Sequence, residues 1–273
     1  MKRLIKMIFA WMIVAGFATR ASACTNTPIS KTADDAISKE IKKQLKTHLP
    51  LYYPKTVKRF YEQNKFTAVW VKTQTGEGPA WQGMLMIDCV LQFGLSYADY
   101  HPQELTYKTL HQLLDTLGNA DVKAQAQFEI MLTDAMITLI NNLHFGKLNP
   151  DYPATKIDGL NKKSFNAAIF LTDALMENNL MSALTKAQPD LKEYVNLQNH
   201  MRLLTGTYQE DCYEMPESDI RKMAINMERL RWQYTTGKPA YITCLVREGV
   251  LVFYDDGDKK DEALEIAMYK KGN

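Results

Sequence analysis

Residues 120–143 carry the strongest repeating pattern in this chain of 273 residues. Apolar side chains recur there at the i, i+3 and i+4 positions that share one face of a helix. They are Phe128, Met131, Leu132, Ala135, Met136, Leu139, Ile140 and Leu143. Gly146 and Pro150 follow and are typical of a helix end. We therefore predict one long helix at the centre of a helical fold.

Helical signals also occupy most of the remaining chain up to Trp232. In residues 33–49 the apolar side chains recur every four residues and form one face of an amphipathic helix. Further helices are predicted over residues 55–64, 81–93, 103–117, 164–184, 189–204 and 218–232. Gly94 is predicted to end the 81–93 helix in the left-handed conformation.

The pattern changes after Trp232. Residues 241–246 and 250–254 are rich in β-branched and aromatic side chains and flank a short turn, which is typical of a hairpin. Residues 263–269 follow a polar turn and are a candidate third strand. The predicted fold class is mainly α, a multi-helix domain with a short C-terminal β-hairpin or three-strand piece.

The first 23 residues have the three parts of a signal peptide. Lys2, Arg3 and Lys6 give a positive start, residues 7–18 are uncharged and mostly apolar, and Ala21-Ser22-Ala23 fits a cleavage site. As a helix the apolar part would be about 18 Å long, shorter than the roughly 30 Å hydrocarbon core of a membrane. We therefore predict export, with an uncleaved membrane anchor as the alternative.

The charge balance depends on that leader. The whole chain has a formal net charge of +2, and removal of Lys2, Arg3, Lys6 and Arg20 with the leader changes it to −2. A composition of 46% apolar and 23% charged residues is that of a folded globular protein. The balance argues against a strongly basic nucleic-acid binder, so no nucleic-acid partner is predicted.

Cys24 directly follows the cleavage site and is a candidate for lipidation. Small residues before a cysteine resemble a bacterial lipoprotein processing site, although Ala21 stands where a leucine-like residue is usual. Lipidation and plain export both stay open, and an acylated Cys24 would anchor the chain to a membrane. The lysines of the first helix would then face either solvent or anionic headgroups: Lys39, Lys42, Lys43 and Lys46.

Export would place the three other cysteines outside the cytoplasm, in a compartment where disulfides persist. Cys89 lies between Ile87 and Val90 and is predicted to be buried in the core, and Cys244 is predicted to be a buried, inert thiol in a strand. Cys212 lies in a polar loop, where pairing with either of the other two stays open. No C-x-x-C pair occurs, so no zinc ribbon or redox pair is expected.

The sequence offers no familiar catalytic or cofactor motif, such as G-x-S-x-G, H-E-x-x-H or a phosphate-binding loop. His101 is predicted to be a hydrogen-bonded turn residue, and His144 to contact carbonyls at a helix end. The other histidines are placed in helices far apart in sequence: His48, His111 and His200. No catalytic residue, metal site or cofactor is predicted, and no binding residue is assigned.

Five ordered groups of residues between residues 51 and 254 form a recognisable set. They are Phe60-Tyr61-Glu62-Gln63 with Ala68-Val69-Trp70-Val71; residues 94–101 (GLSYADYH); Leu132-Thr133-Asp134-Ala135 with residues 143–150 (LHFGKLNP); Pro189, Tyr194 and Leu197; and Asn226-Met227-Glu228-Arg229 with Trp232. In this order they resemble the scaffold domain of the large bacterial L,D-transpeptidases, periplasmic enzymes that cross-link peptidoglycan. The resemblance implies a helical domain in an exported cell-wall protein.

The departures from that family are as informative as the matches. Its members usually continue into a β-rich catalytic domain with a distant histidine and an S-H-G-C-x-R nucleophile motif. No His-Gly-Cys occurs in this sequence, and residues 241–269 resemble only the first strands of the catalytic sheet. The peptidoglycan-binding module often inserted before the last scaffold helix is replaced here by a short loop at residues 204–218.

The expected organisation is a signal peptide (1–23), a lead-in with an amphipathic helix (24–50), a scaffold-like helical domain (51–204), and a linker helix with a truncated β region (205–273). The expected function is a non-catalytic, exported cell-envelope protein with an accessory or binding role in peptidoglycan cross-linking. Its expected partners are peptidoglycan or a cell-wall enzyme. Two alternatives stay open: a peptidoglycan-modifying enzyme, with an unrecognised site or completed by a separate catalytic chain, and a truncated gene relic.

Overall fold

The computed structural model describes residues 31–72, 78–115, 121–160, 165–207, 217–254 and 259–269. Within them lie eleven α-helices and one sheet of two strands. The helices are α1 (Lys31–Gln44), α2 (Pro54–Gln63), α3 (Pro79–Asp88), α4 (Tyr107–Asp115), α5 (Val122–Phe145), α6 (Ala154–Asp158), α7 (Ala167–Met176), α8 (Leu180–Ala187), α9 (Lys192–Thr207), α10 (Glu217–Thr236) and α11 (Lys259–Tyr269). The strands are β1 (Cys244–Arg247) and β2 (Val250–Phe253). The predicted mainly helical fold is confirmed.

Helix α5 is the central element, as its apolar stripe predicts. It begins where the Asp121 side chain accepts a hydrogen bond from the backbone N–H of Lys123 and ends at Gly146. Almost every side chain from position 128 to position 143 is buried, on all sides of the helix. Helices α1, α2, α3, α7, α8 and α10 all pack against it. The main hydrophobic core is therefore built around α5.

The same helix carries a buried carboxylate that holds a neighbouring segment in place. The backbone N–H groups of Val69, Trp70 and Val71 donate to the two oxygens of Glu129 at 2.8, 3.0 and 2.7 Å. Trp70 Nε1 also donates to the hydroxyl of Thr133 at 2.8 Å. The segment at 68–71 thus reaches the core without a partner strand, because a side chain satisfies its backbone donors.

Two more carboxylates fix the chain that enters α2. Asp134 accepts hydrogen bonds from the backbone N–H groups of Tyr52 and Tyr53 at 2.9 and 3.0 Å. Asp158 of α6 accepts the N–H groups of the second and third residues of α2 at 3.1 and 2.8 Å. Helix α2 is therefore capped by a residue about one hundred positions away in sequence rather than by its own N-cap.

A second, smaller core lies between α9, α10, β1 and α11. Its buried side chains are Tyr194, Leu197, Met201, Ile220, Met223, Ala224, Ile225, Met227, Leu230, Cys244 and Met268. Arg231 joins this core to the first, because its guanidinium donates to the carbonyl of Phe93 at 2.6 Å and to the hydroxyl of Tyr194 at 2.9 Å. Gly94 adopts the left-handed conformation predicted for it and lies against Ala224 of α10.

The predicted hairpin is confirmed. Strands β1 and β2 are antiparallel, with Cys244 opposite Phe253 and Arg247 opposite Val250. Glu248 and Gly249 form the turn, and both have positive φ, which is typical of the tight turns that match strand twist.

The candidate third strand at residues 263–269 is wrong, because these residues belong to α11. Asp261 and Glu262 lie in its first turn, where their negative charges interact favourably with the helix dipole and stabilise the helix. Asp261, Leu264 and Met268 lie on one helical face, and Asp261 and Met268 are buried there. The apolar spacing is thus helical, although the β-branched Ile266 suggests a strand.

Several of the predicted helices also have different limits. The helix predicted over 33–49 ends at Gln44, and the one predicted over 81–93 ends at Asp88 and is followed by a short 3₁₀ helix at Val90–Phe93. The segment predicted as one helix over 164–184 is two helices, α7 and α8, separated by Glu177, Asn178 and Asn179. Asn178 has a φ of +50°, and Asn179 caps α8 by accepting the N–H of Ser182 at 3.1 Å. The segment predicted from residue 103 becomes helical only at Tyr107.

Candidate functional site

A groove of about 630 Å³ lies between α10 and α11. Its other walls are the turn that follows α5 and the extended segment that follows α10. We call it the α10–α11 groove. It is lined by Asn149, Pro150, Asp151, Arg229, Trp232, Gln233, Thr236, Lys238, Pro239, Ala240, Tyr241, Lys260, Ala263 and Leu264.

Helix α10 supplies one wall through a regular set of side chains. Arg229, Trp232, Gln233 and Thr236 follow one another at spacings of three, one and three residues. Side chains at these spacings share one face of an α-helix. The opposite part of α10 is buried in the second core, so the helix separates that core from the groove.

The indole of Trp232 is held by a hydrogen bond to Glu228 and by close packing on Gly146. Its Nε1 donates to Oε1 of Glu228 at 2.9 Å, and the same oxygen accepts the backbone N–H of Leu148 at 2.7 Å. Gly146 lies directly beneath the ring and has a φ of +86°. A Cβ at that position would be 2.7 Å from both the Trp232 ring and the Glu228 carboxylate. Glycine is therefore what allows the ring to sit against the end of α5.

The segment after α10 is tied back onto the helix. Gly237 has a φ of +70° and reverses the chain. The backbone N–H of Ala240 then donates to Oε1 of Gln233 at 2.9 Å. Lys238 forms an ion pair with Asp151 at 2.5 Å, which links this segment to the turn after α5.

Arg229 is the most buried cation of the groove, with 6% of its surface exposed. Its Nη2 lies 2.5 Å from Oδ1 of Asp261, an ion pair that holds α11 against α10. Its Nη1 has no hydrogen-bond partner among the described residues. A buried guanidinium nitrogen without an acceptor is costly, so this atom is a natural position for a ligand oxygen.

Tyr241 forms the exposed aromatic wall, with 45% of its surface accessible. The Arg229 guanidinium and the Lys260 ammonium lie 5.2 and 5.3 Å from the centre of its ring. Together with Lys238 they give the groove three cations against one lining carboxylate, Asp151. Such a groove can hold an anion next to a flat or apolar ring. It contains no cysteine, serine or histidine that could act as a nucleophile or base.

The cysteines lie elsewhere. Cys244 has none of its surface exposed, and Asn226 Nδ2 donates to its Sγ at 3.2 Å. Burial, with a smaller effect of Asp261, raises the pKa of the Cys244 thiol to about 12. The predicted burial of Cys244 in a strand is confirmed.

The prediction that Cys89 is buried is wrong. Ile87 and Val90, three residues apart, both face the core, which turns the intervening Cys89 outward at the end of α3. Partial burial still raises the pKa of its thiol. Cys24 and Cys212 lie outside the described residues, so lipidation of Cys24 and the pairing of Cys212 remain predictions.

The two histidines singled out in the sequence, His101 and His144, both make hydrogen bonds within the fold. His101, in a turn with a φ of +50°, places Nε2 2.7 Å from Oδ2 of Asp134, as expected of a hydrogen-bonded turn residue. His144 stacks on Phe165 at 3.6 Å and its Nδ1 donates to the carbonyl of Ala187, the last residue of α8. Burial lowers the pKa of His144 to about 4.

The other histidines do not meet. His111 and His200 lie in α4 and α9, whereas His48 lies past the end of α1, contrary to its predicted place in a helix. Within the described ranges, no three His, Cys, Asp or Glu side chains are grouped so that they could hold a metal ion.

No residue of the α10–α11 groove was assigned a binding role from the sequence. Arg229 and Trp232 could have been found from the sequence. They lie three residues apart, on one face of the predicted helix, in the segment that resembles the family. No sequence pattern indicates that the other lining segments belong to a site: residues 149–151, 238–241 and 260–264. They depend on the fold bringing three separate turns and helices together.

The fold and the groove define a mainly helical domain with a cationic, aromatic-walled cleft. A family model described as a scaffold domain matches residues 55–201, more than half of the chain. This is the scaffold domain of L,D-transpeptidases, and the chain belongs to that family. The match covers most of the α5-centred core and ends before α10, so most of the groove lies beyond it.

Comparison with curated proteins and with solved structures gave no match in either case. Among the described residues, no helix combines the length and the apolar character needed to span a bilayer.

Proposed function

We propose that this protein is a non-catalytic, exported component of the cell envelope that assists peptidoglycan cross-linking by binding peptidoglycan or a cell-wall enzyme. Membership of the L,D-transpeptidase scaffold family supports the link to cross-linking. The signal-peptide pattern of residues 1–23 supports export. Acylation of Cys24 would add a membrane anchor to the same role.

The state of Cys244 is the observation that carries the non-catalytic part of the proposal. A cysteine transpeptidase needs a thiolate, a base within hydrogen-bond reach and donors for the oxyanion. Cys244 is fully buried, has a thiol pKa of about 12, and takes its hydrogen bond from an asparagine amide. At neutral pH almost none of this thiol is ionised, so it is unsuited to attack a peptide bond.

Cys89 supports the same conclusion. It is exposed, but partial burial and the negative charge of Asp88 both raise the pKa of its thiol. Reactive cysteines lie next to cations, whereas burial and the carboxylate of Asp88 both disfavour the thiolate of this one.

The test is to incubate the purified protein with sacculi and, separately, with muropeptides that carry tetrapeptide stems. We expect the protein to co-sediment with sacculi, or to retain a cell-wall enzyme, while mass spectrometry finds the muropeptides unchanged. New cross-linked or trimmed species that disappear in Cys244→Ser but persist in the matched Cys89→Ser variant would instead identify an enzyme.

A further inference from the structure

We propose that the α10–α11 groove is a binding site for a carboxylate-bearing saccharide, with the sugar ring against Tyr241 and the carboxylate beside Arg229 and Lys260. The assignment of peptidoglycan as the source of this ligand rests on the proposed function. The chemical class of the ligand rests on the groove itself, in four observations.

The first observation is size. The groove encloses about 630 Å³, within the range of about 300–1,000 Å³ that small-molecule sites in proteins occupy. That volume accommodates a disaccharide with a short attached peptide. It is too small for a folded domain, which would need a broad surface rather than a cleft.

The second observation is charge. Arg229, Lys238 and Lys260 outnumber Asp151, the single carboxylate of the lining. Lys238 is paired with Asp151 and the Nη2 atom of Arg229 with Asp261, so three cations face two carboxylates, and Arg229 and Lys260 lie together on the Tyr241 side of the groove. This side of the groove is complementary to an anion.

The third observation is the Nη1 atom of Arg229. The residue is more than nine-tenths buried, yet this nitrogen has no acceptor among the described residues. A carboxylate oxygen is a strong acceptor for a guanidinium N–H, because the hydrogen bond is assisted by charge on both groups. The buried Arg229 is thus a prepared partner for a ligand carboxylate rather than a surface charge.

The fourth observation is the pair of aromatic walls. Tyr241 is nearly half exposed, and the Trp232 indole is held in place from below by Gly146 and Glu228. Aromatic rings with one polar edge pack against the apolar faces of sugar rings while their polar atoms stay hydrogen-bonded. Gln233 fixes the backbone at Ala240 and Glu228 fixes the Trp232 ring. Binding a ligand therefore costs little conformational entropy in these parts of the groove.

The experiment is a titration of the full chain with a disaccharide-tetrapeptide muropeptide, which carries carboxylates, and with chitobiose, which is neutral. We expect the muropeptide to bind and chitobiose to bind at least about tenfold more weakly. We expect Tyr241→Ala and Lys260→Ala each to weaken muropeptide binding by about tenfold. Both residues are exposed, so thermal unfolding should show that the variants stay folded.

The hairpin and the part of α10 that faces it offer matched controls. Tyr254 is also an exposed tyrosine with a cation 5.2 Å from its ring, and Lys222 lies 4.6 Å from the ring of Phe253, but none of these residues lines the groove. Tyr254→Ala and Lys222→Ala should bind the muropeptide as the unchanged protein does. Equal losses in the groove and control variants, or no loss in Tyr241→Ala and Lys260→Ala, would overturn the proposal.

Sacculus co-sedimentation separates this inference from the proposed function. If the unchanged protein and both groove variants co-sediment equally, the groove is not the binding site although the wall-binding role stands. If the muropeptide binds in the groove but the protein neither co-sediments with sacculi nor retains a wall enzyme, the saccharide site stands and the envelope role fails.

Discussion

Buried acidic side chains hold together segments that are far apart in this chain. Glu129, Asp134, Asp158 and Glu228 each accept backbone N–H groups from another element. Burial raises the pKa of Glu129, and the three backbone donors that bind its carboxylate oppose that effect. Such carboxylates replace the strand or cap that would otherwise satisfy the same donors.

We expect Glu129→Gln to lower the free energy of unfolding by about 3 kcal/mol, because the amide turns an NH₂ group toward a backbone donor in a buried site. Urea denaturation measures this change. Glu62→Gln is the matched control, since Glu62 forms only an exposed ion pair with Lys58 at 3.9 Å and should change stability by less than about 1 kcal/mol. Equal effects of the two substitutions would contradict the role of Glu129.

His144 should make stability depend on pH. Burial lowers its pKa from 6.5 to about 4, so between these values the unfolded chain binds a proton that the folded chain excludes. Stability is therefore lost as pH falls from 6.5 to 4, by about 3 kcal/mol over the window. His144→Asn keeps an N–H donor for Ala187 but does not titrate. The difference in unfolding free energy between the two proteins should shrink by that amount from pH 7 to pH 4, and parallel curves would refute the prediction.

At the scale of helices and strands, amphipathic periodicity predicts the helices that bury one face. It does not predict the segments whose conformation depends on residues far away in the sequence. The helix predicted over residues 120–143 agrees with α5 (Val122–Phe145) within two residues at each end. The 68–71 segment could be predicted as extended, but its anchoring by Glu129 depends on tertiary packing. Helix α11 was missed because Ile266 and its neighbours suit either structure, and the Asp261–Arg229 pair that docks it joins residues far apart in sequence.

The turn that ends α5 should not tolerate a side chain. Gly146 combines a φ of +86° and a ψ of 148° with the Trp232 ring overhead, so Gly146→Ala should destabilise the protein by about 3 kcal/mol or more. Gly249 has a similar φ of +81° but no atom within 4 Å of the added Cβ. Gly249→Ala should therefore lose only about 1–2 kcal/mol from backbone strain. Thermal unfolding of both variants checks the difference, and equal losses would show that the indole contact is unimportant.

At the scale of the whole molecule, α10 joins two cores. Arg231 is fully buried where the α5-centred core and the second core meet, and it lies 3.4 Å from Glu228. The groove lies on the outer side of the same helix. Its geometry therefore depends on both cores being folded.

We expect Arg231→Met to destabilise the protein by about 3–5 kcal/mol, because it leaves the buried Glu228 without its cation. The two cores should then unfold in separate steps, which near-UV and far-UV circular dichroism in urea would detect as transitions that no longer coincide. Arg221→Met is the control, since Arg221 forms exposed ion pairs with Glu217 and Glu265 and should change stability by less than about 1 kcal/mol. A single unchanged transition in Arg231→Met would contradict the coupling.

The burial of α5 on all sides has a consequence for how the chain reaches its folded state. Its partners come both before it (α1, α2 and α3) and after it (α7, α8 and α10), so the helix cannot be covered until most of the chain is present. An emerging chain thus exposes a long apolar segment while its later helices are still being synthesised. We expect the protein to depend on holding chaperones at this stage, and to aggregate most readily when its chain is interrupted between α5 and α10.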